Sequence, residues 1–283
     1  MEGIEWDICD IAVSQSGDIV ITGNAADQES HITVIDETGN VNRQWIMSNL
    51  SDTFIEPDRF CDFLSEDTIA TTCDPNEIGI FNIRDGSYVK TNISELTSDW
   101  PEERGVTCIA TDPASKQIIV GSKEGSLVCV FDDRLNLLRT LTLPEQMPGA
   151  TDMFFSKENS VAVCCTKTAI VMTMNGPLCE KIFEFPQPFS GRGHWQPLNM
   201  CKDKTGCIYI LWSSRGQSVI AKYGLDGCQV LAIKDVDDNT ANITTAILGY
   251  REILLATTHP SRKMYQYDLV SRMVLFVCLP NGG

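Results

Sequence analysis

Few residues in this sequence could carry chemistry, and their spacing limits what each could do. Asp10, Asp62, Asp152 and Asn199 stand near the starts of apolar runs, so their oxygens could together ligate a hard cation such as calcium. Asp235, Asp237, Asp238 and Asn239 begin like a calcium loop. The turn glycine is missing, however, and position 246, where a bidentate Glu would stand, is Ala, which leaves a solvated acidic turn. His31, His194 and His259 fall in loops far apart in sequence, with no local metal-ligating pair. Gly191 and Gly193 open a dinucleotide fingerprint that lacks its third glycine and its following helix. No GxSxG elbow occurs. Twelve cysteines form no CxxC pair and mostly sit inside apolar runs, where a thiol acts as a small buried hydrophobe. The vicinal Cys164 and Cys165 alternate across strand faces, one to each packing layer. Neither a cofactor nor a catalytic residue is expected.

Composition narrows the classes further. The 283 residues are 43% apolar and 21% charged, near globular averages, which excludes a disordered or collagenous chain. The longest nearly continuous apolar run, residues 273–279, is far short of the ~20 residues of a membrane-spanning helix, so no membrane partner is expected. A net charge of −16 repels phosphate backbones and disfavours nucleic acid as a partner. The acidic N-terminus has neither a basic n-region nor an apolar h-region, and a cytoplasmic location with reduced thiols is expected.

The elements that would position any site come from a repeat. Short apolar runs after a turn recur at residues 18–22, 68–72, 117–121, 160–164, 207–211 and 252–256, at spacings of 50, 49, 43, 47 and 45 residues. Each follows an earlier apolar run and precedes a third. In several units a turn with Asp85-Gly86, Asn175-Gly176 or Asp226-Gly227 then leads into a fourth. No window holds a capped helical pattern. Four antiparallel strands per unit, with two apolar faces that one sheet cannot bury alone, predict an all-β, six-bladed β-propeller. It is read as one domain, 1–283, with blades at about 6–52, 53–104, 105–148, 149–195, 196–239 and 240–283.

The unit typified by residues 12–22 and 31–39 resembles an NHL repeat, and the chain as a whole is similar to the C-terminal propellers of tripartite-motif proteins. Most units lack the Pro-x-Gly and the following Asp that NHL repeats usually carry. Trp-Asp repeat propellers are less similar, because no unit ends in Trp-Asp. The resemblance implies a non-catalytic protein–protein interaction module, possessing no zinc-binding spacing of its own and serving as the substrate-recognition domain of a ubiquitin ligase.

In such a fold the second-to-third strand loops and the connections between units share one face. The expected partner-binding residues there are Lys167, Arg215, Arg262 and Lys263, with Arg192, His194 and Trp195 from the Gly/Pro-rich connection after residue 185, and Trp100 beside acidic residues. Acidic residues from Asp27 to Glu103 dominate the earlier loops, which predicts an electrically divided face; ordinary solvated loops would look the same. Trp195 and Trp100 have an alternative too, folding back as plugs over the core. Two rival functions follow from the architecture. One is a calcium-dependent, lactonase-like hydrolase built on Asp10, Asp62, Asp152 and Asn199, against which the mostly apolar inner runs argue. The other is an RNA-binding NHL domain, against which the net charge argues.

Overall fold

The computed structural model describes residues 6–25, 30–36, 41–46, 60–100, 105–144, 147, 149–157, 160–174, 179–189, 194–215, 217–224, 227–236, 240–248, 251–258, 264–268 and 274–277. They form an all-β molecule, a β-propeller of four-stranded antiparallel blades. Six four-stranded sheets occur among the described residues, each an up-and-down meander of consecutive strands.

The first strands of the sheets are Trp6–Val13, Cys61–Phe63, Cys108–Asp112, Asp152–Lys157, Gln196–Lys202 and Thr240–Leu248. Each packs against the first strand of the next sheet, and Thr240–Leu248 packs against Trp6–Val13, so these strands are innermost. Fourth strands such as Val41–Ile46 and Glu180–Glu184 are outermost and largely exposed, and Tyr88–Asn92 is partly so.

Second strands such as those of the third and fourth sheets read as nearly unbroken apolar runs because both of their faces are buried. Gln117–Gly121 and Ser160–Cys164 begin and end where the runs do. Along the former, Ile118 and Val120 pack with Ala70 and Ile78 of the second sheet, while Ile119 between them packs with Val161 and Val163 of the fourth. The period-two alternation of a strand thus serves two interfaces at once. Each fully buried aliphatic side chain contributes roughly 1.5–3 kcal/mol relative to exposure. The outer strands keep one face in water, and Val89 there remains 64% exposed.

Two expectations need correction. A one-turn helix, Ile93–Leu96, opens the connection from the second sheet to the third; the Asn92 side chain caps it by accepting from the Ser94 N–H. It is too short for a helical period to register. His31 lies not in a loop but in the strand Ser30–Ile35, 2% exposed, with its Nδ1 3.2 Å from Gln44 Nε2. The apolar run at 273–279 contributes the strand Val274–Val277. The Asp85-Gly86 turn forms as expected, with Gly86 at φ 75°. Ten described cysteines are free thiols, and Cys164 and Cys165 do enter different interfaces, toward the fifth and the third sheets.

Candidate functional site

Meander topology puts the second-to-third strand loops and the inter-sheet connections at one end of the molecule, and the remaining turns at the other. At the first end Lys167, His194 and Arg215 are exposed, on the fourth sheet, the connection that follows it and the fifth sheet. Arg215 adopts φ 48°, a left-handed conformation that costs a residue with a side chain roughly 1–2 kcal/mol. Arg192, Arg262 and Lys263 lie outside the described residues. Of the acidic loop residues, Asp99 is exposed and Glu77 pairs with Lys90 at 2.6 Å, whereas Asp27, Glu29, Asp52, Glu56, Asp58, Glu102 and Glu103 lie outside the described residues.

Both tryptophans expected at this end belong to the core. Trp195 is 5% exposed and packs with Phe185, Met200 and Tyr223, its ring 5.5 Å from that of Phe189. Trp100 is 3% exposed, and its Nε1–H donates to Asn76 Oδ1 at 3.0 Å. The same connection donates from the Ile93 N–H to the Asn76 carbonyl and from the Val106 N–H to the Pro75 carbonyl. Gly105, at φ 63°, lets the chain run so close that a Cβ there would fall on that Pro75 carbonyl. Trp100 is therefore a strut between a connection and the loop beneath it. A large ring in a Gly/Pro-rich connection gains more from burial than from waiting in water.

Near the axis the four oxygen-bearing residues share one task. Asp10 Oδ2 accepts from the Cys61 N–H at 2.9 Å, Asp62 Oδ2 from the Thr111 N–H at 2.7 Å, and Asp152 Oδ2 from the Met200 N–H at 2.6 Å. Asn199 Oδ1 accepts from the Ile243 N–H at 2.9 Å. Each bond crosses from one first strand to the first strand of the next sheet. The second carboxylate oxygen of each aspartate turns back to the N–H of the following residue, at 2.8–2.9 Å. Asp10, Asp152 and Asn199 occupy the same rung of their ladders, opposite Thr22, Cys164 and Leu211, and Asp62 stands two rungs further on.

These residues keep some surface, but protein encloses their carboxyl groups, and desolvation dominates their titration. Burial pushes Asp10 up to about 7 and Asp62 to about 6, against the lowering effect of the backbone N–H donors. Asp152 is raised well above the carboxylate range, by burial first and also by the charges of Asp10 and Asp62. Among the described residues no group of three or more His, Cys, Asp or Glu side chains is arranged to hold a metal. A cation at the axis would have to compete with the N–H donors that already occupy these oxygens.

A further feature, at the opposite end, leaves no trace in the sequence pattern. A cavity of about 470 Å³ lies between the first and second sheets, lined by Asp18, Asn42, Arg43, Glu66, Asp67 and Arg84 among others. No family model matches the chain, and no curated protein does.

Proposed function

We propose that the chain is a non-catalytic recognition module, a six-bladed propeller of the NHL type that binds an acidic protein or peptide segment through its loop-rich end. The reading rests on one observation: Lys167, His194 and Arg215 stand exposed at one end of two neighbouring sheets, in a chain whose net charge is −16. In a field of that sign the exposed cations Lys167 and Arg215 select a partner by charge complementarity and raise the rate of encounter with it. The six sheets, with the last packed on the first, support the blade count. The resemblance of the repeat units supports the fuller form of the proposal, in which the module recognises substrates for a cytoplasmic ubiquitin ligase of the tripartite-motif type.

Cross-linking mass spectrometry on the full chain in cell extract tests it, comparing wild type, the double variant Lys167→Glu/Arg215→Glu, and Lys116→Glu at the opposite end. The expected result is a set of partners cross-linked near residues 165–168 and 194–215, lost in the double variant and retained in Lys116→Glu. An unchanged partner set in the double variant would mean that the wrong end has been chosen.

A further inference from the structure

The cavity between the first and second sheets lies at the end away from the proposed partner surface, and its polar groups are unevenly used. Three turns and one strand contribute to it: Asp18 from the first turn of the first sheet, Arg43 from that sheet's outer strand, and Glu66 and Arg84 from two turns of the second sheet.

The guanidinium of Arg43 is fixed from behind. Its Nη1 donates to the Arg84 carbonyl at 2.7 Å and to the Ile83 carbonyl at 3.2 Å, which leaves its Nε–H and Nη2 hydrogens without a partner among the described residues. Arg84 gives its Nε–H to Asp67, and both its Nη groups are uncommitted among the described residues. On the acidic side, Glu66 Oε2 accepts from the Ser16 hydroxyl at 2.6 Å and from the Ser16 N–H at 3.3 Å, and Oε1 is uncommitted among the described residues. The Asp18 carboxylate makes no hydrogen bond to the described residues; its backbone N–H donates to Ser14 Oγ at 3.0 Å and its carbonyl accepts from the Ser14 N–H at 2.8 Å. Uncommitted donors of two guanidiniums and uncommitted acceptors of two carboxylates thus line a single cavity.

We infer that this cavity is a binding site for a small zwitterion, of amino-acid to short-peptide size, whose carboxylate meets Arg43 and Arg84 and whose ammonium meets Asp18 and Glu66. The chemistry follows from the lining. A ligand carrying only one charge would pair with one side and lie against charges of its own sign on the other, a repulsion that a dipolar ligand avoids. The planar fork of an arginine held in place by two backbone carbonyls presents its remaining N–H groups in the geometry that suits a carboxylate. A volume of about 470 Å³ falls within the range of small-molecule sites.

The test is ligand-observed NMR with calorimetry on the full chain, using glycine, glycylglycine and triglycine, which separate the two charges by increasing distances. N-acetylglycine serves as the anion-only control and glycinamide as the cation-only control. At least one zwitterion should bind in the millimolar range or tighter, with both controls about 10-fold weaker. Asp18→Asn and Arg43→Lys should each weaken that binding about 5-fold or more at an unchanged melting temperature. Arg43→Lys retains the charge but not the fork, so it also reads the geometry. Lack of binding by all three zwitterions, equal binding by a control, or binding indifferent to both variants would each overturn the assignment.

Discussion

At the scale of single residues, the aspartates of the inner strands show how one side-chain type can be read two ways. A carboxylate near the start of an inner strand has the right chemistry for a cation. It is equally right for accepting the backbone N–H that the neighbouring sheet presents, and the hydrogen bonds of Asp10, Asp62 and Asp152 favour the latter. Asn199 performs the same task with an amide, so a negative charge is not required for it. A pH dependence follows. Asp10 in the folded chain titrates near 7, well above its ordinary 3.8, so the folded state holds its proton more tightly than the unfolded one. Its contribution to stability is complete below pH ~4 and is lost as pH rises through 7. A tenfold difference in proton affinity between the two states corresponds to about 1.4 kcal/mol, and the surface that Asp10 retains reduces the total to about 1–2 kcal/mol. Asp10→Asn should therefore melt a few degrees higher than wild type at pH 8 and no higher at pH 4. Parallel melting curves for the two proteins across that range would contradict the assignment. Thiol chemistry provides a second check. Burial raises Cys129 and Cys165 to about 12, while Cys228 is exposed. Brief alkylation of native protein, mapped by mass spectrometry, should modify Cys228 at least about 10-fold faster than Cys129, Cys164 or Cys165.

At the scale of elements, the second strands were legible because burial on both faces leaves no polar interruption, and a run such as residues 117–121 marks its own limits. The periodicity carried the sheet order for the same reason. The task of the inner aspartates was not legible. Their partners lie 44 to 51 residues away, and a repeat length does not disclose which rung of one sheet faces which N–H of the next. The two tryptophans were ambiguous in principle, since a Gly/Pro-rich connection allows a ring to face either way until the core beneath it is known. Arg43 and Asp18 gave no signal, because each is an ordinary charged residue, one on an outer strand and one in a turn, and only the packing of two sheets gathers them. The connection that carries Trp100 offers a test of how such an element is held. It depends on Gly105, whose positive φ and contact with Pro75 leave no room for a side chain. Gly105→Ala should cost at least about 2 kcal/mol, combining left-handed strain with a backbone clash, read as a lower urea midpoint at an unchanged slope. A midpoint within error of wild type would mean that the connection does not need this close approach.

At the scale of the whole molecule, each sheet is built from one continuous stretch of chain, so among the described residues no strand from one end of the sequence completes a sheet begun at the other. The seam between the last sheet and the first is therefore held by packing between Thr240–Leu248 and Trp6–Val13, not by a shared ladder. Hydrogen bonds between first strands reinforce the other junctions. Asp10 links the first sheet to the second, Asp62 the second to the third, Asp152 the fourth to the fifth, and Asn199 the fifth to the sixth. At the junction of the third and fourth sheets, where Cys108 holds the rung, the Thr107 hydroxyl donates to the Ala150 carbonyl at 2.7 Å. At the seam the equivalent rung, opposite Ala256, is occupied by Ile243, whose side chain can accept nothing. In a repeat protein the stability of each sheet includes its interfaces with both neighbours, so the junction whose inner rung carries the apolar Ile243 should open first. Native-state hydrogen exchange should thus find the amides of Ile11 and Val20 and of Leu254 and Leu255 exchanging at least about 10-fold faster than those of Val120, Val163 and Ile210. An acceptor at the seam should narrow that difference: Ile243→Asn would lose about 1–2 kcal/mol of apolar burial but gain an oxygen on the rung that Asn199 uses. Uniform protection across all sheets would show that the seam is as firm as the clasped junctions, and the order of opening would then have to come from something other than these bonds.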